Sequence, residues 1–321
     1  MIKILELFGG IGSPRVALRN LGVPTKAIDY VEIDEQAVRS YNAMFEGDLA
    51  YKPQTVVDYN LKPDILIHGS PCQDISVIGK KRGAEKGSGT RSSLMWETVH
   101  IIEQMGEWKP KYVIWENVKG VLTKRMNKNF KQYLDYMESL GYTNAFEVLD
   151  ARGFGIPQAR ERVFTVSRLG DVAFDFSKLQ KSKMRPIDEF LDSSVGDEYV
   201  VTQPSMLNKI NTSGDSSFNG YLPIIEDFCW TITTKQMRCP NSGVVPLGDG
   251  RFRYLTPKET WLLQGYSEGD YHKAASVNKK TALYKQAGNS IPVPIFEALF
   301  QEILKDVSEE DAKQNVQMTL I

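Results

Sequence analysis

Ile2-Lys3-Ile4-Leu5-Glu6-Leu7-Phe8-Gly9-Gly10-Ile11-Gly12-Ser13-Pro14 opens the chain, and its reading decides the fold. Ile2 to Phe8 is rich in β-formers and ends in glycines, which predicts a strand followed by a tight turn. Ser13 is placed to cap a helix and Pro14 to occupy its first position; the helix runs to Leu21 and stops at Gly22. Glycines after a first strand let the backbone approach a ligand closely, and the helix N-terminus beyond them favours negative charge. Glu32 lies 20 residues past Gly12, where an acid suits two ribose hydroxyls. A dinucleotide fingerprint needs a further glycine where Arg15 stands, so the loop fits an adenosyl ligand without a pyrophosphate. Taken alone, such a loop is equally a plain strand–helix connection.

Outward from this loop the first half alternates. Strand patterns fall at Ala27–Ile33, Asp64–His68, Tyr112–Trp115, Phe146–Leu149 and Arg162–Val166, and helical patterns at Glu35–Phe45, Ser93–Trp108 and Asn127–Leu140. Alternation of this kind predicts an α/β fold, Rossmann-like, with a mostly parallel sheet covered on both faces. Past about residue 168 the periodicity is lost among Ser, Asn, Gly and Pro. Helical pattern returns from about residue 277, with Pro292 and Pro294 opening a helix to about Leu304 and a polar tail after it. The expected division is 1–168 with 277–307 as a larger α/β domain, 169–276 as a smaller irregular β-rich domain, and 308–321 as the tail.

The 321 residues carry 39 basic and 40 acidic side chains, a net charge of -1, so a blanket polycation is excluded and a nucleic-acid surface must come from local clustering. With 41% hydrophobic and 25% charged residues the composition excludes bulk disorder. Three widely spaced cysteines (Cys72, Cys229, Cys239) and three histidines argue against a metal or disulfide framework, and no metal is expected. No run of 18 apolar residues occurs, and the N-terminus lacks the h-region and cleavage site of a signal peptide; a cytoplasmic protein is expected.

Three further motifs fall at strand ends. Gly69-Ser70-Pro71-Cys72-Gln73 follows the strand ending at His68, at the sheet edge where open α/β sheets bind ligands. A cysteine there can be a nucleophile if its thiolate is favoured, although a lone cysteine is more often a small buried hydrophobe. Trp115-Glu116-Asn117-Val118 ends the next strand, and two buried polar groups there are costly unless partnered. Gln158-Ala159-Arg160-Glu161-Arg162 places two arginines at i and i+2, on one face of a strand, suited to an anion or a carbonyl oxygen.

In this order and spacing the glycine loop, Pro-Cys-Gln, Glu-Asn-Val and Gln-x-Arg-x-Arg resemble the DNA (cytosine-5) methyltransferases of bacteria and phages. Further blocks extend the resemblance. Gly89-Thr90-Arg91-Ser92-Ser93-Leu94 is similar to the one after the catalytic loop. Arg253-Tyr254-Leu255-Thr256-Pro257-Lys258-Glu259 with Leu263-Gln264-Gly265-Tyr266 resembles the block closing the recognition region, and Gln286-Ala287-Gly288-Asn289-Ser290 the one that returns to the cofactor. The resemblance covers residues 1 to 305. Leu262 departs from it, standing where the family usually has an arginine, which leaves the usual ion pair of the small domain open.

The resemblance implies S-adenosylmethionine as cofactor, with S-adenosylhomocysteine as product. Phe8, Gly10 and Gly12 would frame it, Glu32 would take the ribose, Asp58 the adenine amino group, and Ile33, Pro71, Leu94, Asn289 and Ser290 would line the pocket. Cys72 would attack C6 of a flipped cytosine, Glu116 would hold its N3 and amino edge, and Arg162 with Arg160 its O2 side. The partner would be double-stranded DNA, read in the major groove by about residues 170–250. Thr231, Gln236 and Arg238 are candidate DNA contacts there, and Asn241 is another. Lys80, Lys81 and Arg82, in a glycine-rich basic loop, and the acid-free stretch Lys119–Lys131 would meet phosphates. A monomer is expected, with a cognate restriction endonuclease as the partner in a restriction-modification system. Two other readings compete: the tRNA-directed branch of the superfamily, which Cys229-Trp230-Thr231 echoes in part, and a non-catalytic DNA-binding relative, which the presence of Cys72, Glu116 and Arg162 opposes.

Overall fold

The computed structural model describes the chain except residues 48–49, 57–61, 70–93, 212–219, 237 and 320–321; side chains are also left out at 28, 211 and 307–319. The first half runs β1 (Ile2–Leu7), α1 (Ser13–Asn20), β2 (Thr25–Val31), α2 (Glu35–Met44), β3 (Ile65–His68), α3 (Leu94–Gln104), β4 (Tyr112–Val118), α4 (Asn127–Ser139), β5 (Tyr142–Asp150), β6 (Gln158–Ala159) and β7 (Glu161–Leu169). A six-stranded sheet has the order β2-β1-β3-β4-β7-β5. β2, β1, β3 and β4 are parallel, and β7 pairs antiparallel with both β4 and β5.

The period of two along these strands divides the core between the two faces. Ile4, Ile65, Ile67, Ile114, Phe164 and Val166 point to the side covered by α1 and α9. Leu5, Leu7, Leu66, Val113, Trp115 and Val163 point to the side of α3 and α4. Both faces are apolar because helices cover both, so the strands read as near-continuous hydrophobic runs.

The second half runs α5 (Pro204–Leu207), β8 (Ile210–Asn211), β9 (Leu222–Pro223), β10 (Cys229–Trp230), β11 (Val245–Pro246), β12 (Phe252–Arg253), α6 (Pro257–Leu262), α7 (Glu268–Val277), α8 (Lys280–Asn289) and α9 (Val293–Thr319). The irregular stretch expected after residue 168 is present, as two-residue strands and short turns. It shares one apolar core with the sheet through Phe174, Leu179, Phe190, Ile225 and Ile232, and adds a small cluster around Val201, Leu222 and Val244.

Three expectations about elements need correction. Gly12, not Ser13, is the cap of α1; it takes a left-handed conformation (φ 76°) and leaves the Ser13 hydroxyl to other partners. Beyond the single turn of α5, helices resume at Pro257 rather than at about 277, because Thr256 with Glu259 and Ser267 with Asp270 form capping boxes that start α6 and α7. α9 continues through the expected polar tail to Thr319, a stretch without Gly or Pro. The ion pair left open by Leu262 exists in another form: Arg253 makes a bidentate pair with the fully buried Glu259 at 2.9 and 2.8 Å.

Candidate active site

One row of residues crosses the sheet at the C-terminal ends of its parallel strands. Val31 pairs with Leu7, Leu7 with His68, His68 with Trp115. The residues just beyond that row are Glu32, Phe8, Gly69 and Glu116. Segments far apart in sequence thus meet along one edge; the chain leaves the sheet after β1, β2 and β3 there, while β4 continues to Val118 against β7.

At the β1 end the glycine loop is tightly specified. Phe8 has φ 56°, the only positive value at a non-glycine among the described residues, at a cost of ~1–3 kcal/mol. Gly10 (φ 55°) faces open space: a Cβ there would meet nothing within 4 Å. The Glu32 carboxylate reaches across to the loop, accepting from Gly10 N at 2.9 Å and from Ile33 N and Asp34 N at 2.8 and 2.9 Å. Ile33 beside it is 68% exposed, although apolar. A carboxylate, an exposed aliphatic side chain and an open glycine face fit an adenosyl group, with its diol, its flat base and its need for close backbone approach.

The C-terminal block returns to this loop. Ser290 Oγ lies 3.1 Å from Ser13 Oγ, and Tyr266 OH lies 2.7 and 2.9 Å from the two serines. Ser290 was expected to line the cofactor pocket. The structure places it buried beside the glycine loop, with its hydroxyl in this cluster and its carbonyl accepting from Arg160. Asn289 next to it is exposed, and Leu94, half-buried, opens α3.

At the β4 end Glu116 and Asn117 are both buried. Glu116 Oε1 lies 3.2 Å from Arg162 Nε, and its Oε2 faces Gly69, 3.8 Å from where a Cβ would stand. Burial pushes the Glu116 carboxyl up, against the opposing charges of Arg162 and Arg160. His68 is a neutral core residue: burial takes it down to about 3, and its ring stacks near Trp115 with Nε2 3.1 Å from the Tyr133 hydroxyl.

The two arginines do not share a face. Arg160 sits in the break between β6 and β7 and is 2% exposed. It donates to the carbonyls of Ile232 at 2.9 Å, Gly288 at 3.1 Å and Ser290 at 2.6 Å. Three carbonyls from two distant segments, Ile232 and Gly288–Ser290, therefore take the guanidinium that was expected to hold substrate. Arg162, within β7, is the one turned to Glu116. Sequence alone could not locate this difference, since Arg160's partners lie 72 to 130 residues away.

Around the edge, Thr231 donates its hydroxyl to the Ala159 carbonyl at 2.7 Å. Gln236, expected as a base reader, is 2% exposed and donates to Ser242. Arg238, Lys124, Arg125, Lys128 and Lys131 are exposed. Cys229 is fully buried, and burial pushes its thiol up, which disfavours the thiolate. Cys72, Pro71, Asp58, Lys80, Lys81 and Arg82 lie outside the described residues. Among the described residues no His, Cys, Asp and Glu cluster could hold a metal, and no helix is long and apolar enough to cross a membrane.

Comparison with known proteins agrees with this arrangement. The family model of C-5 cytosine-specific DNA methylases matches residues 2–219 and 199–305. Type II methyltransferase M2.ScrFI of Lactococcus lactis subsp. cremoris is 32% identical over 95% of this chain and 99% of its own length. Orphan methyltransferase M.SssI of Spiroplasma monobiae is 33% identical, over 75% of this chain and 65% of its own. The crystal structure of S. pombe Dnmt2 methyltransferase superposes with a TM-score of 0.76 at 21% identity, over 96% of this chain and 99% of that one, which establishes the α/β fold. With a matching family model over nearly the whole chain and relatives above 30% identity, the chain belongs to the C-5 cytosine-specific DNA methylase family and is a DNA (cytosine-5-)-methyltransferase.

Proposed function

We propose that the protein methylates C5 of a cytosine flipped out of a specific double-stranded DNA sequence, through a covalent bond between Cys72 and C6. The observation that carries this is the single edge row, which sets Glu32 and the glycine loop beside Gly69 and Glu116. Phe8, Gly10, Gly12, Glu32, Ile33, Asp58, Pro71, Leu94 and Asn289 would hold S-adenosylmethionine, which would supply an electrophilic methyl group there.

Cytosine C5 is a poor nucleophile in the intact ring. Addition of the Cys72 thiolate at C6 moves electron density onto C5. Glu116 assists by presenting a carboxyl whose burial favours the protonated form, so that it can donate to ring N3. Arg162 orients Glu116 and faces the O2 side of the ring. Arg160 contributes as a positioning residue, with its charge near Glu116 and its hydrogen bonds on the backbone around it. After the methyl transfer, loss of the C5 proton and breaking of the Cys72–C6 bond restore aromaticity and free the enzyme.

Flipping the base costs a few kcal/mol, which phosphate contacts must offset. Lys80, Lys81 and Arg82 directly after the nucleophile, together with the exposed Lys124, Arg125, Lys128 and Lys131 after Glu116, are suited to that role. The segment over 169–276 is the recognition domain in this reading, with Thr231 and Arg238 near the DNA. Bisulfite sequencing of plasmid DNA from cells expressing the protein tests the reading. Protection of one cytosine in one recurrent sequence, lost in Cys72→Ala, is expected; unprotected DNA throughout, with the protein folded, contradicts it.

A further inference from the structure

The glycine loop rests on side chains that the catalytic reading does not use. Tyr30 OH donates to the Gly10 carbonyl at 2.5 Å, while Gly10 N donates to Glu32 at 2.9 Å. Both backbone groups of Gly10 are therefore held by side chains from the end of β2. The Tyr30 ring stacks on Tyr41, with centroids 3.7 Å apart and planes at 24°. A Cβ on Gly9 would fall 2.6 Å from the Tyr30 ring, and one on Gly12 2.5 Å from the Tyr41 ring. The two rings are thus a floor in contact with the loop at Gly9 and Gly12, while Gly10 is open on its other side. Beneath them Tyr41 OH donates to Glu6 Oε2 at 2.7 Å and accepts from Arg15 NH1 at 3.2 Å.

We propose that Tyr30 is a positioning residue for the cofactor: its hydroxyl fixes the Gly10 backbone so that the open glycine face and the Glu32 carboxylate meet the adenosyl ribose in one geometry. If the Gly10 carbonyl is released, φ and ψ at this glycine are free to rotate, and rotation carries its N–H off Glu32. The carboxylate then loses one of three hydrogen bonds that set its direction. The glycine that permits the turn is also the weakest point of the cradle, and the tyrosine offsets that freedom. The inference rests on the reading of this loop as the S-adenosylmethionine site.

Tyr30→Phe keeps the ring stack and removes only the hydroxyl. The full chain is titrated with S-adenosylhomocysteine by calorimetry, and methyl transfer is assayed across S-adenosylmethionine concentration. Tyr30→Phe is expected to raise the dissociation constant ~3- to 10-fold, the equilibrium equivalent of one buried hydrogen bond. KM for the cofactor should rise by the same factor while kcat at saturation holds. Tyr41→Phe, which cuts the ties to Glu6 and Arg15 but leaves the Gly10 contact, should change the constant less than twofold. Glu32→Ala serves as the reference for the site itself. Unchanged affinity in Tyr30→Phe with weakened affinity in Glu32→Ala would make Tyr30 mere packing, and so would equal losses in Tyr30→Phe and Tyr41→Phe. Unchanged affinity in Glu32→Ala would instead overturn the placement of the cofactor.

Discussion

Glu6 is fully enclosed below the glycine loop, and burial raises its carboxyl to about 7 although the Tyr41 hydroxyl and the Arg15 charge pull it down. An acid raised in this way binds its proton more tightly in the folded than in the unfolded chain. Its contribution to stability is complete below about 4.5, its ordinary value, and is lost as pH rises through about 7. The amount at stake is of order 3 kcal/mol. Glu6→Gln, neutral at every pH and still able to accept from Tyr41, should flatten the fall in unfolding free energy between about pH 5 and about pH 8. Urea titrations of both proteins across that range check it; parallel curves would contradict the burial argument. At this scale the sequence was only partly informative. The positions of Glu116 and Arg162 at strand ends were legible from their motifs, and the structure pairs the two side chains. Tyr30, Tyr41 and Glu6 were not, because a tyrosine or glutamate in a strand or helix carries no signal of what lies above it.

At the scale of elements, the end of α8 shows how closely distant segments are fitted. A Cβ on Gly288 would stand 2.3 Å from the backbone of both Thr233 and Thr234, which no side-chain adjustment can relieve. Gly288→Ala must therefore push the 230–234 segment off α8, where Arg160 holds the Ile232 and Gly288 carbonyls together. A loss of ~1–3 kcal/mol in denaturant-measured stability is expected, the usual cost of overpacking. An alanine variant as stable as the parent would contradict the close approach. The strands and long helices were readable because each repeats its period several times. β1, β3 and β4 alternate between two apolar faces, and α2 and α4 each present one buried stripe. α6 and α7 were missed although their capping boxes stand in the sequence, because six and ten residues give too few turns for periodicity to register. The cap of α1 was misplaced by one residue because a left-handed glycine can close a helix without any side-chain oxygen.

For the molecule as a whole, the decisive fact is that one continuous core joins the sheet to the irregular second half. Phe174, Ile225 and Ile232 pack in the same cluster as Ile4 and Ile65, so the irregular second half is seated on the six-stranded sheet. That seating brings Thr231 and the 230–234 backbone to β6 and α8, beside the edge row. The fold class was legible from strand–helix alternation, as was the placement of the glycine loop and Glu32 at strand ends, whereas the seating was not, since it depends on contacts with no local pattern. The central claim is that Cys72 forms the bond to cytosine, and fluorine tests it most directly. In a duplex carrying 5-fluorocytosine at the methylated position, the thiolate can add and C5 can accept the methyl group. Fluorine cannot then leave as a cation, so elimination stalls. The account predicts a protein–DNA adduct that survives denaturation, requires S-adenosylmethionine and maps by mass spectrometry to Cys72. It should vanish in Cys72→Ala and persist in Cys229→Ala and Cys239→Ala. An adduct on Cys229 or Cys239, or efficient methylation of ordinary DNA with no adduct on the fluorinated duplex, would contradict it.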